Sequence, residues 1–364
     1  MKRLIFLFIL VILTGTMVFA QADLQVVARV SLIRNQPITV GQLRAEMERR
    51  AWPNLRNRLG RNPTAAELRA EVQNSTLPQR RGVLDAMIDE LLVLQAAERD
   101  RVTVSDAEVN QQINQLRAVL AQDMGRLPTD EEFALALMNE TGQSLPAFRE
   151  STRRQLIAQQ YLLTQQQAIF ATIREPTEEE IVNLYNLSRA QFVRPETVRF
   201  SMIHVPNGND TASRVRAREL IDRLNREIGN DPVRFDEAVL RGQSPNSGYQ
   251  AGDGGFMPRN IAAVQMMGED FVNTAFSLRH GEVSRVIEGP HGFQIIKITS
   301  SLPQRNLELD DIIVPGTTET VRQNIAGALF QQRLQETTVR AAQDLMETLR
   351  AGNPFQIMEN NLNW

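Results

Sequence analysis

The chain holds few of the side chains that ordinary enzyme chemistry requires, and they are scattered. Its three histidines (His204, His280 and His291) stand at no metal-ligand spacing, and there is no cysteine, so a zinc centre is not expected. No G-x-S-x-G is present to offer a serine nucleophile. The glycines of AGDGGF (251–256) would let amides converge on an anion. No Lys-Ser/Thr follows them to grip a triphosphate, so the stretch reads as a turn. What remains is an oddity in GPHGFQIIKI, residues 289–298. Alternation sets Gln294, Ile296 and Ile298 on one strand face and Phe293, Ile295 and Lys297 on the other. A single amide interrupts an apolar face, either as a satisfied polar group near a core or as part of a site. On ETVRFSMIHV (196–205), Phe200, Met202 and His204 likewise share a face. An amide and an imidazole can donate and accept hydrogen bonds, whereas a thioether cannot donate.

The elements that position these groups follow from period and capping. LQVVARVSLIRNQPIT (24–39) reads as a strand or hairpin turning at Asn35-Gln36-Pro37, after which Thr39 caps a helix over VGQLRAEMERRAW. A polar stretch with Pro53, Gly60 and Pro63 is helical only in part. In LDAMIDELLVLQAAERDR (84–101), Leu84, Met87, Ile88, Leu91 and Leu92 recur at helical spacing. Capping boxes at Ser105/Glu108, Thr129/Glu132 and Thr177/Glu180, and Pro146 behind Ser144, mark further starts. No internal repeat beyond these capped helices is evident, and 39–190 is mostly helical. Around 195 the period changes to two. A strand, a helix (212–228), a short helix (235–240), a glycine-rich loop (242–256), a helix (265–278) and two strands (281–289 and 292–301) make a small α+β domain. After residue 303 helices return. Val321, Ile325, Ala328 and Leu329 begin an apolar face that Ala341, Ala342, Leu345 and Leu349 extend, before a short strand at Phe355 and Ile357.

With 364 residues, 42% hydrophobic and 23% charged, the composition is that of a soluble protein of two or three domains. A formal charge of −3 gives no basic surface for nucleic acid. Residues 1–20, MKRLIFLFILVILTGTMVFA, have a basic start, an apolar run from Leu4 to Leu13 and a small-residue site at Val18-Phe19-Ala20. That is the pattern of a cleaved signal peptide, the alternative being an uncleaved anchor. The expected mature chain begins at Gln21, outside the cytoplasm, and without cysteine it relies on packing alone.

The segment 196–302 resembles a parvulin-type peptidyl-prolyl isomerase domain, the PpiC rotamase family. VRFSMIHV is similar to that family's V-R-x-S-H-I-L-V, GDGGFMP to G-D-L-G-W-F-P, EDFVNTAFSLRHGEVS to E-F-E-x-A-x-F-x-L-x-x-G-E-V-S, and HGFQIIKI to F-G-Y-H-I-I-K-V. VLDAMIDELLVLQAAERDRVTVSDAEVNQQI (83–113) resembles the helices that precede this domain in SurA-like and PrsA-like chaperones. The likeness covers most of the mature chain. It departs from SurA in having one isomerase domain rather than the usual two, and from PrsA in lacking a lipid-bearing cysteine.

The resemblance implies two histidines facing each other on neighbouring strands and a Cys or Asp near the bound peptide bond. Here the histidine positions hold Met202 and Gln294, and the loop position falls near Ser244 or Pro245. His204, two residues beyond Met202, is either a partial substitute or a packed residue. Met267 and Phe271, one helical turn apart, match the proline-pocket residues, with Phe293 at its border. The same i, i+4 spacing also describes a plain core pair.

The expected fold is α+β: a mostly helical module built from both chain ends, with an inserted parvulin-like α+β domain containing an antiparallel sheet. The boundaries are 1–20 for the signal peptide, 21–193 for the SurA-N-like helical domain, 196–302 for the parvulin-like domain and 303–364 for the part returning to the N-terminal domain. The short strands near both ends each lack a partner, and pairing them would satisfy both edges. The resemblance implies an exported, periplasmic, ATP-independent chaperone in outer-membrane biogenesis. Its partners would be unfolded or extended envelope polypeptides with proline-containing segments. Isomerase activity is expected to be weak or lost, with a working isomerase as the alternative. No cofactor, metal, nucleic acid or membrane insertion after signal removal is expected.

Overall fold

The computed structural model describes residues 23–208 and 210–364, so the expected signal peptide and mature start at Gln21 lie outside the described residues. Two compact units divide the chain: residues up to Ile173 with Leu334–Trp364, and Arg174–Arg333. The first unit is therefore built from both ends of the chain and the second is inserted in it. No helix among the described residues is long and apolar enough to cross a membrane.

The first unit opens with β1 (Val26–Val30) and β2 (Gln36–Thr39), an antiparallel hairpin. The expected turn at Asn35-Gln36-Pro37 lies earlier, over 31–35, because the buried Gln95 collects the turn amides. Its Oε1 accepts from the N–H of Leu32 at 3.1 Å and of Ile33 at 3.0 Å. Thr39 caps α1 (Val40–Leu59), which runs through Pro53. There follow α2 (Ala65–Gln73), α3 (Leu77–Arg99), α4 (Asp106–Met124), α5 (Asp130–Thr141), α6 (Leu145–Gln165) and α7 (Gln167–Phe170). Leu84, Ile88 and Leu92 of α3 sit in the core with Val27, Val30, Ile38, Leu43 and Tyr161.

The second unit contains α8 (Glu178–Ser188), the short β3 (Val193–Arg194) and then β4 (Thr197–Pro206), α9 (Thr211–Ile228) and α10 (Pro232–Gly242). It continues with β5 (Gln250–Pro258), α11 (Ile261–Met267), α12 (Glu269–Ser277), β6 (Ile287–Gly289), β7 (Gly292–Leu302) and β8 (Arg305–Asn306). The sheet order is β5-β4-β7-β6, all antiparallel. Three sequence expectations change here. From Gln250 the glycine-rich loop is a strand, because Gly254 bulges between two β4 pairings and leaves room for Phe200. A Cβ at Gly254 would stand 2.2 Å from the Phe200 ring. The helix expected over 265–278 is two helices, broken at Gly268, whose φ is +91°. The strand expected from residue 281 pairs continuously only at Ile287–Gly289, with a single bridge at Val283.

The helix α13 (Val321–Arg350) carries two apolar surfaces rather than one. Val321, Ile325 and Leu329 pack with Ile181, Tyr185 and Leu307, whereas Leu345 and Leu349 join the core of Leu84 and Leu92. At 1.5 Å per residue, thirty residues span about 45 Å, too long for one core. The chain ends with β9 (Phe355–Ile357), paired antiparallel to β1. Arg80, only 6% exposed, fastens this end by donating to the carbonyls of Leu362 (2.9 Å) and Ser75 (2.9 Å), and Arg350 binds Asp89 at 2.6 Å.

The capped helix starts contain a repeat that the sequence analysis missed. Arg61-Asn-Pro-Thr64-Ala-Ala-Glu67, Arg126-Leu-Pro-Thr129-Asp-Glu-Glu132 and Arg174-Glu-Pro-Thr177-Glu-Glu-Glu180 open α2, α5 and α8. Each glutamate closes a capping box with its threonine and also receives the arginine, at 2.6, 2.5 and 2.9 Å. Each arginine lies six residues before its glutamate, beyond the three-residue span of the capping-box pattern.

Candidate functional site

The register of β4 against β7 places His204 opposite Gln294 and Met202 opposite Ile296. All four point to the face covered by α11 and α12. The directly facing polar pair is therefore His204–Gln294, and Met202 stands diagonal to Gln294. Gln294 Nε2 lies 3.4 Å from His204 Nδ1, while its Oε1 is buried without a partner. Turning the amide over lets Oε1 accept from a protonated Nδ1 but strands Nε2 instead. Either orientation leaves one amide atom unpaired in a residue that is only 5% exposed. Gly289 on β6 makes room for this amide, since a Cβ there would stand 2.9 Å from both its polar atoms. Burial, with His291 adding to it, holds the His204 pKa below its ordinary value, so the imidazole is neutral at pH 7.

Met202 and Met267 are half-buried in the apolar cluster on this face. Phe271 belongs to the same cluster but is 1% exposed, and its ring meets Phe200 edge-on at 5.4 Å. It forms the floor of this face rather than an open wall. Phe293 is not brought to Met267 and Phe271. It packs on the opposite face with Ile203, Val205, Ile221 and Phe235, because adjacent strand residues point to opposite sides. Ser244 is also held apart. It is exposed just beyond α10, beside Arg223 and Arg241, on the side of the sheet covered by α9 and α10. Sequence reasoning placed Phe200 on this face without giving it a role, and it missed Gly289. Alternation places Phe200 on the site face, but only strand pairing reveals Gly289.

This face offers two half-buried thioethers over an apolar floor and one weak hydrogen-bonding pair. Rotation about an X-Pro bond opposes a barrier of about 20 kcal/mol from amide resonance. Lowering that barrier needs a dry seat for the ring and stabilisation of the twisted amide, with no nucleophile or cofactor.

A second concave surface lies in the first unit. Along α1, Ala45, Glu46, Arg49 and Pro53 fall on one side, against Glu90 and Leu91 of α3 and Arg154 of α6. Two hollows of about 460 and 510 Å³ adjoin there and share Glu46, Arg49, Glu90 and Arg154. Ile38, Met87 and Leu94 line one, while Phe148 and Ala158 line the other. Glu46 binds Arg49 at 2.6 Å and Arg50 at 2.7 Å, and Arg154 binds Glu90 at 2.7 Å. Burial alone would raise the Glu46 pKa, but the two arginines outweigh it and the carboxyl is held below its ordinary range.

Comparison with known proteins places both units. Residues 1–162 match the SurA-like N-terminal domain and residues 176–313 the PPIC-type PPIase domain. The chain is 25% identical over 307 residues to chaperone SurA of Saccharophagus degradans, covering 82% of this chain and 64% of that protein. It is 30% identical over 225 residues to chaperone SurA of Alcanivorax borkumensis, covering 60% and 47%. The chain thus spans roughly half to two thirds of the length of these relatives. A solved SurA-like chaperone of Campylobacter jejuni aligns with a TM-score of 0.34 at 14% identity, over 92% of this chain and 99% of that one. The chain thus carries a stretch that matches the SurA-like N-terminal domain, followed by one that matches the PPIC-type PPIase domain.

Proposed function

We propose that the protein is an ATP-independent chaperone that holds extended envelope polypeptides, and that its PPIC-type domain isomerises prolines weakly or not at all. The observation that carries this reading is the His204–Gln294 pair, a 3.4 Å contact with an unpaired amide atom. Of this pair only Gln294 stands at one of the two positions where the family resemblance implies a histidine. Met202 at the other position donates no hydrogen bond, so the face keeps apolar binding and loses most of its polar assistance. Extended segments would lie in the adjoining hollows along α1. There the apolar walls suit exposed hydrophobic side chains, and the flanking ion pairs suit a chain that still carries its charges. The names of the relatives, chaperone SurA, support the same reading. The expected export to the periplasm rests on the signal-like residues 1–20.

The test pairs two assays on one preparation: suppression of aggregation of an unfolded outer-membrane protein, and cis–trans isomerisation of an X-Pro peptide. Suppression with slow isomerisation is expected, and Met202→His with Gln294→His should raise turnover. Full parvulin-like turnover that Gln294→Ala leaves unchanged would refute the lost-site reading. The second reading, a working isomerase, is favoured by the neutral, half-buried His204 beside Gln294. It predicts that His204→Ala abolishes turnover.

A further inference from the structure

Ser244, a site position in the sequence reading, lines a separate hollow of about 490 Å³ between the C-terminal half of α9 and the loop joining α10 to β5. Its floor is buried and satisfied. Tyr249 donates its hydroxyl to the Ala238 carbonyl at 2.7 Å, and Ser247 donates to the Tyr249 carbonyl at 2.7 Å. Glu227 is the single acid in the lining and is already neutralised by Arg241 at 2.6 Å. Among the described residues, three donors in this lining are left over. Arg223 has no ion pair, and neither the Ser244 hydroxyl nor the Asn246 amide has a hydrogen-bonding partner. The lining therefore carries one net positive charge, and the Arg223 guanidinium, the Ser244 hydroxyl and the Asn246 amide are among the groups around this one hollow. A planar guanidinium with neighbouring neutral donors matches a carboxylate, which it can hold through two parallel N–H···O bonds.

We propose that this hollow binds a carboxylate, supplied by an Asp or Glu side chain of the polypeptide held by the protein. Ser244 is then a binding residue on the far side of the sheet from His204. The inference rests on the reading that the chain binds extended polypeptides, and its purpose is to fix the register of a bound segment by an acidic residue. The volume accommodates such a side chain with part of its backbone.

The test uses the full chain and two unstructured, fluorescently labelled peptides that differ only in Glu against Gln at their acidic positions. Anisotropy should show the Glu peptide binding about tenfold more tightly. Arg223→Gln should abolish that difference, Ser244→Ala should reduce it, and both exposed changes should leave the circular dichroism unaltered. Hydrogen exchange should show protection over 241–249 with the Glu peptide only. Equal binding of both peptides would overturn the carboxylate site while leaving polypeptide binding intact. Binding of neither would overturn the broader reading first. Succinate protecting 241–249 at the same half-saturation as the Glu peptide would assign the hollow to a free dicarboxylate and refute the polypeptide source.

Discussion

Replacing Gln294 by methionine tests whether the amide is kept for the fold or for a site. The residue is 5% exposed, its contact with His204 is long at 3.4 Å, and one amide atom is unpaired in either orientation. A buried unsatisfied polar atom costs about 1–3 kcal/mol, whereas a long, neutral hydrogen bond returns about 0.5 kcal/mol at the weak end of the usual range. Methionine fills nearly the same volume without the polar atoms, and His204, being half-buried, can turn to water. Gln294→Met should therefore stabilise the second unit by about 1 kcal/mol. Both tryptophans, Trp52 and Trp364, lie in the first unit, so their fluorescence would not report the change. Amide exchange along Gly292–Leu302 would, slowing about fivefold if those amides exchange by opening of the unit. The same variant should bind proline peptides less well if Gln294 serves a site, because stability and function then pull apart. Exchange that quickens tenfold or more would mean that the amide is a net stabiliser of the fold, and the reasoning would fail.

Three further outcomes follow from named contacts. Glu67 and Glu132 are held at about 2 by their arginines and capping threonines. Their contribution is present above the ordinary value near 4.5 and is lost as pH falls toward 2. Glu67→Gln with Glu132→Gln keeps the capping box but should flatten the acid dependence of Trp fluorescence over that window. His204 is depressed below 6.5, so the unfolded chain takes up more protons just below that value. Exchange protection in β4 and β7 should fall as pH drops through about 6.5, and His204→Gln should remove that slope. Leu345, 5% exposed in the core of the first unit, should cost about 2–5 kcal/mol on replacement by alanine, read as an earlier urea transition by Trp fluorescence. An unchanged midpoint would remove the C-terminal helix from that core.

The strands of the inserted sheet and the helices of the first unit were legible because period and capping are local signals, whereas the module's use of both chain ends followed from two short strands that each needed a partner. His204 and Gln294 were found for the same reason, since alternation alone puts each on its strand face. Phe293 shows the limit of motif matching. A family pattern suggested that it bordered the pocket, but strand alternation sends it away from Gln294, and the structure follows the alternation. Ser244 shows the limit of alignment through a loop, where a gap of a few residues moves a side chain to the other side of a sheet.

The sequence by itself determined where helices begin, because a capping threonine and its glutamate lie within one turn. It also determined the strand faces and the identity of both domains. Only the tertiary structure decided that glycine-rich residues from Gln250 form a strand against Phe200, that His204 rather than Met202 directly faces Gln294, and that α13 serves two cores. Each of those depends on a partner distant in the chain, whose register and distance no local pattern encodes. An arginine free to pair with Glu227 or to wait for a ligand carries the same letter in the sequence. The folded surface around Arg223 and Arg241 decides which of them does which.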